Sequence, residues 1–146
     1  MKKFIVLLKP YSKYLVVIWA ITIATVSSIP HLPTPKIETG KGAIRLDYMI
    51  HFCEYGVLIF LSLLSFVRKD FRLAIKRCLL ITLAVIAFAL TDEFHQKLIP
   101  GRTYNPKDIL SNLTGIIAGA FFCYFFFKKI AYDFTNVANS DNKIAS

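Results

Sequence analysis

The chain has 146 residues, 55% of them hydrophobic and 14% aromatic, which excludes a disordered chain and is too apolar for an ordinary soluble domain of this length. It carries a net charge of +9, but its 18 Lys and Arg fall in short clusters between apolar runs rather than on one basic face, so the expected partner is the lipid bilayer and no nucleic acid. Three scattered cysteines, Cys53, Cys78 and Cys123, share no CxxC spacing and exclude a disulfide framework or a zinc knuckle.

The N-terminus, MKKFIVLLKPYSKYLVVIWAITIATVSSIP, starts like a signal peptide, with a basic end and small residues near its close. Lys9, Pro10 and Lys13 split its first apolar run, and the second run, residues 14–29, is long enough to cross a bilayer, so we read an uncleaved signal anchor. Further apolar runs follow at 48–67, 78–94 and 109–127, each bounded by charge or proline. The pattern predicts an all-α, integral-membrane four-helix bundle forming a single domain over 1–146. The polar tail, YDFTNVANSDNKIAS, is expected to fray.

Twelve of the 18 basic residues flank the spans on one side: Lys2, Lys3, Lys9 and Lys13, then five between Arg68 and Arg77, then Lys128, Lys129 and Lys143. Lys36, Lys41, Arg45, Lys97, Arg102 and Lys107 lie on the other. By the positive-inside rule both termini face the cytoplasm and the two proline-bearing loops face out, in a multi-pass protein of the bacterial cytoplasmic membrane.

The third span meets an obstacle. Its uncharged run, 78–91, is only about 21 Å long against a hydrocarbon core of roughly 30 Å, so Asp92 and Glu93 are drawn to membrane depth. Counting outward from the basic ends places Glu54, His51, Asp92, Glu93 and Asn112 about 20–24 Å up their helices, with Asp108 near 28 Å. Acids at such depth turn inward and find partners. At 100° per residue Asp47, His51, Glu54 and Leu58 share one stripe of the second span, and Asp108, Asn112, Gly115 and Gly119 share one of the fourth; Asp92 and Gln96 are one turn apart on the third.

Gly115 and Gly119 form a GxxxG that admits a neighbouring backbone, either inside the bundle or in a homo-oligomer. Pro100 and Gly101 turn the chain, Asp108 can cap or begin the fourth helix, and Arg102 stands at the mouth, able to pair with Asp92, with Glu93 or with an incoming carboxylate or phosphate. His31 is a loop residue with no evident partner, and His95 lies off the polar stripe.

Two motifs carry a resemblance. The stretches DYMIHFCEYGVLIFLSLL and TDEFHQKLIPGRTYNPKDILSNLTGIIAG resemble the patterns of the VanZ-like membrane protein family, with a fainter likeness at SSIP. Matching motif positions are Asp47, His51, Tyr55, Asp92, Glu93, Gln96, Pro100, Gly101, Arg102, Asp108, Asn112 and Gly115; Tyr48 departs from it, standing where that family usually has lysine. The resemblance implies a link to resistance to the glycopeptide antibiotic teicoplanin, with no settled mechanism.

Three functions compete for this polar set. One is a ligand site, built from Asp47, His51, Glu54, Tyr55, Asp92, Glu93, Gln96, Arg102, Asp108 and Asn112, for an envelope lipid head group or a related ligand such as a lipid-linked precursor. Another is an intramembrane hydrolase or transferase using His51, Glu93, Asp92 and Arg102, with His51 or Glu93 as general base and Arg102 steadying anionic charge. The third is a structural network that only sets helix register. Three cations, Arg45, Lys97 and Arg102, face five acids, so ion pairing alone cannot satisfy the set. His51, Glu93 and Asp108 have metal-type donor atoms, but no compact motif supports an ion, and no metal is expected.

Overall fold

A computed structural model describes residues 2–31, 36–39, 42–102 and 104–144, and among residues 2, 36–39, 42–45 and 137–144 the backbone alone. Lys41 and Thr103, which the sequence places in the two loops on the less basic side, lie outside the described residues.

The N-terminal segment does not break where its charges predict. Helix α1 (Lys2–Leu8) passes through a 3₁₀ turn (Lys9–Tyr11) into α2 (Ser12–Ser27), and together these give a membrane-length run over Lys3–Ser27. Pro10 sits where its missing N–H costs nothing, and Ser12 Oγ donates to the Lys9 carbonyl at 2.6 Å. Lys9 is tolerated because its ammonium donates to the carbonyls of Leu64 and Val67, the last unpaired acceptors of the next helix.

A short antiparallel hairpin, β1 (Lys36–Thr39) and β2 (Gly42–Arg45), lies in the loop before α3, with Lys36 opposite Arg45 and Thr39 opposite Gly42. It is an addition to an otherwise helical fold.

Helix α3 (Asp47–Phe66) is the central member, packed against α2, α4 (Ile75–Gln96) and α5 (Pro106–Ile144), with the most extensive interface to α5. The reason is small side chains. A Cβ at Gly115 would fall 2.3 Å from the Phe52 carbonyl oxygen, and one at Gly119 would fall 2.6 Å from Ile59 Cγ2. Only hydrogen at these positions lets the two backbones approach, so the GxxxG serves the bundle interior. Below them Ile59, Leu63, Leu64, Ile116, Cys123 and Phe127 close the apolar core.

Among the described residues three helical runs, Lys3–Ser27, Asp47–Phe66 and Pro106–Asn136, are long and apolar enough to cross a membrane; α4, which carries Asp92 and Glu93, is not among them. It completes the bundle by packing on α3 and α5. Helix α5 runs on to Ile144 instead of stopping near 127. The apolar stripe continues past Lys128 and Lys129 through buried Ile130 and Ala131, and Phe71 of the α3–α4 loop stacks on Phe134 at 5.8 Å, holding the extension.

Candidate functional site

The polar residues gather at the end of the bundle where α3 and α5 begin and α2 and α4 finish. Asp92 and Glu93 are sequence neighbours on α4, so their side chains diverge by about 100° and enter different interfaces.

Asp92 turns toward α2 and α3. Its Oδ2 accepts from Ser27 Oγ at 2.9 Å, from the Tyr55 hydroxyl at 3.1 Å and from Gln96 Nε2 at 3.2 Å, while Gln96 also donates to Ser27 Oγ at 3.1 Å. All four side chains are buried. Three donors on one carboxylate oxygen make Asp92 a fastening between α2, α3 and α4. Ser27 was not among the expected site residues; its signal was a hydroxyl at the end of an apolar run, one turn before a proline.

Glu93 turns toward α3 and α5. Its Oε1 accepts from Asn112 Nδ2 at 3.0 Å and lies 3.9 Å from His51 Nδ1. Glu93 is 1% exposed and Asn112 is fully buried. Asp47, one turn before His51 on α3, and Asp108, one turn before Asn112 on α5, complete this half: Asp47, His51 and Asp108 each bring a ligand-type atom within 4.8 Å of the other two. This grouping differs from the set read from sequence, with Asp47 in place of Glu93.

Helix α5 is started by Asn105, not by Asp108. The Asn105 Oδ1 accepts from the Lys107 N–H at 3.1 Å, Pro106 takes the first helical position, and Asp108 accepts the Asn105 amide at 3.0 Å. The N-P-K-D order was the legible signal for that cap.

Arg102 does not pair with Asp92 or Glu93. Its Nη2 donates to the Val26 carbonyl at 2.8 Å, at the C-terminal end of α2, where a cation is favoured; the same carbonyl accepts the Ile29 N–H at 3.2 Å. The same loop is latched a second time. His31 donates its N–H to the Pro100 carbonyl at 3.2 Å, and its ring lies where a Cβ on Gly101 would stand, 2.1 Å from Nδ1. Gly101 has φ +76°, so both its backbone and the ring above it require glycine. His31 thus has a partner that sequence did not reveal.

Glu54 stays on the half-buried rim with Asp47 and Arg102, within coulombic reach of His51, Asp92, Arg102 and Asp47. Its backbone carbonyl accepts the Trp19 indole N–H at 2.9 Å, tying α2 to α3. His95 is exposed and takes no part. The arrangement is a buried floor of His51, Asp92, Glu93, Gln96, Asp108 and Asn112 beneath a partly accessible rim.

Among the described residues, three buried polar atoms at this end lack a hydrogen-bond partner: His51 Nδ1, Arg102 Nε and Asn112 Oδ1. A carboxylate, an imidazole and an amide held together in this way can exchange protons, bind a cation or receive a polar group from outside.

A family model described as VanZ/LLP1 matches residues 6–128, which takes in both polar motifs. No curated protein and no solved structure matches the chain.

Proposed function

Since the chain belongs to the VanZ/LLP1 family, we propose that it is a bacterial cytoplasmic-membrane protein whose polar end, facing out of the cell, binds the anionic head group of an envelope lipid. The observation that carries this reading is the trio of orphaned atoms on His51, Arg102 and Asn112. A network that only set helix register would satisfy its own buried groups, because each unpaired one costs about 1–3 kcal/mol. Arg102 Nε is a donor in a planar fork suited to phosphate or carboxylate, and the acids and His51 beside it suit hydroxyls and cations. Sequestering a lipid-linked precursor in this way would connect the protein to the teicoplanin tolerance that the family resemblance implies.

The test is retention of a polyprenyl phosphate by the full-length protein in nanodiscs, followed by native mass spectrometry with phosphatidylcholine as the reference. We expect saturable retention that falls at least about tenfold in Arg102→Ala, the loss of one charge-assisted contact, while the protein stays folded. Equal retention of both lipids, or no change in Arg102→Ala, removes the head-group reading.

A second reading draws on the 3.9 Å approach of His51 Nδ1 to Glu93. An imidazole held by a buried acid is suited to general-base work in a hydrolase or transferase acting on the same lipid. Release of phosphate or a head group by wild-type protein, abolished in His51→Gln, separates this reaction from binding alone.

A further inference from the structure

The end of the bundle opposite the acids is hollow. A cavity of about 760 Å³ lies there, with apolar walls from Val6, Phe71 and Phe134 and with Lys9, Lys13 and Lys69 also in its lining. A second cavity, of about 540 Å³, shares Val6, Pro10 and Phe134 with the first and adds Lys3 and Leu7. Both fall within the roughly 300–1,000 Å³ of ordinary ligand sites.

The walls are held in place by contacts of their own. Lys9 Nζ donates to the carbonyls of Leu64 and Val67 and stands 6.0 Å from the centre of the Phe71 ring, which fixes one positive charge at the wall of the larger cavity. An ammonium has three protons, so one is left to give. Phe71 has φ 60°, a conformation that a bulky side chain rarely takes, and it is kept there by its N–H bond to the Arg68 carbonyl at 2.9 Å and by its ring stacked on Phe134 at 5.8 Å. Among the described residues no carboxylate lines either cavity. Asp70, the acid of the same loop, lies 3.7 Å from Arg68 and 3.6 Å from Arg72, and Asp133, next to Phe134 in sequence, lines neither cavity. The lining charge is of one sign.

Position selects the kind of anion. The membrane-length run Lys3–Ser27 starts at this end and Asp47–Phe66 finishes at it, which places the cavities where hydrocarbon gives way to head groups. Tyr11, Tyr14 and Tyr132 are exposed at the same end, as aromatic residues at a bilayer interface are. A small soluble anion would answer the lysines and leave the apolar walls wet, whereas a lipid satisfies both, and basic pockets between helices beside a membrane surface suit anionic head groups. We propose that this end binds one diacyl phospholipid with an anionic head group, its phosphate among Lys9, Lys13 and Lys69 and its two chains on either side of the ridge made by Val6 and Phe134. The site is separate from the acid end and does not rest on the head-group reading given for it.

The experiment uses the full-length protein in nanodiscs of mixed phosphatidylglycerol and phosphatidylcholine, with the lipids retained by each chain counted by native mass spectrometry. Wild type should retain one phosphatidylglycerol in preference to phosphatidylcholine, and the Lys13→Ala, Lys69→Ala pair should lower that retention at least about tenfold. Both lysines are exposed, so the pair should fold. Lys128→Ala with Lys129→Ala removes as much charge from residues that line neither cavity, and retention should hold. Val6→Trp adds bulk to the ridge, leaves every charge in place and should also lower retention. Equal retention of the two lipids, equal losses in the two lysine pairs or an unchanged Val6→Trp overturns the proposal. Displacement of phosphatidylglycerol by excess inorganic phosphate would make a free anion the occupant and overturn it too. Polyprenyl phosphate still retained by the Lys13→Ala, Lys69→Ala pair is the expected sign of two separate sites; its loss together with phosphatidylglycerol would reduce them to one and overturn this one.

Discussion

Adjacent acids with different surroundings show how much one residue's direction decides. Asp92 receives three hydrogen bonds on a single oxygen, and Glu93 receives one amide. Removing the first carboxylate strands three buried donors, so Asp92→Ala should lower unfolding stability by about 2 kcal/mol or more, whereas the near-isosteric Glu93→Gln should shift it much less. Thermal unfolding in detergent reads both, and equal losses would mean that Glu93 also has a chiefly structural duty. That both residues are buried was legible from the shortness of the apolar run 78–91, because an acid too close to a lipid core must turn inward. Which one is fastened and which one faces the imidazole was not legible. A difference of 100° around a helix becomes a role only when the neighbouring helices are in place.

At the scale of the helices, α3 and α5 stand in the closest register because glycine removes the side chains between them. The two glycines are not equivalent. The obstacle at Gly115 is the Phe52 backbone, while at Gly119 the nearest atom is a methyl group of Ile59. Gly115→Ala should therefore cost about 2 kcal/mol or more and spread the acid cluster, and Gly119→Ala should cost less because a side-chain methyl, not the backbone, stands closest to it. Unfolding curves for the two variants check the order; a reversed order would remove the backbone-approach account. The helix starts and stops were read less well than the helices themselves. Lys9 and Pro10 looked like a break and instead form a 3₁₀ turn, because the lysine finds the carbonyls ending α3. The basic pair at 128 and 129 looked like the end of α5, but Ile130 and Ala131 continue its buried stripe.

The whole molecule has two unlike ends. One holds the acids, His51 and Arg102; the other holds Lys9, Lys13 and Lys69 around a cavity of about 760 Å³, also lined by Phe71 and Phe134, which does not reach the acid cluster. If the basic end faces the cytoplasm, a membrane-impermeant maleimide applied to intact cells should label Lys97→Cys and should reach Arg72→Cys only after the membrane is opened, in a chain whose exposed Cys53 is replaced by serine. The opposite pattern would invert the orientation and with it the side from which a head group arrives. Membrane character, the helical class and the identity of most polar residues were determined by sequence alone, because hydropathy, charge asymmetry and helical period are properties of composition and spacing. Only the tertiary structure decided that Ser27 meets Gln96 across 69 positions, that Asn112 meets Glu93 across 19, and that Asp47 rather than Glu93 joins His51 and Asp108. Such contacts depend on how far each helix is rotated and how closely its neighbour approaches, and that is set by packing across the bundle rather than by any local stretch of chain.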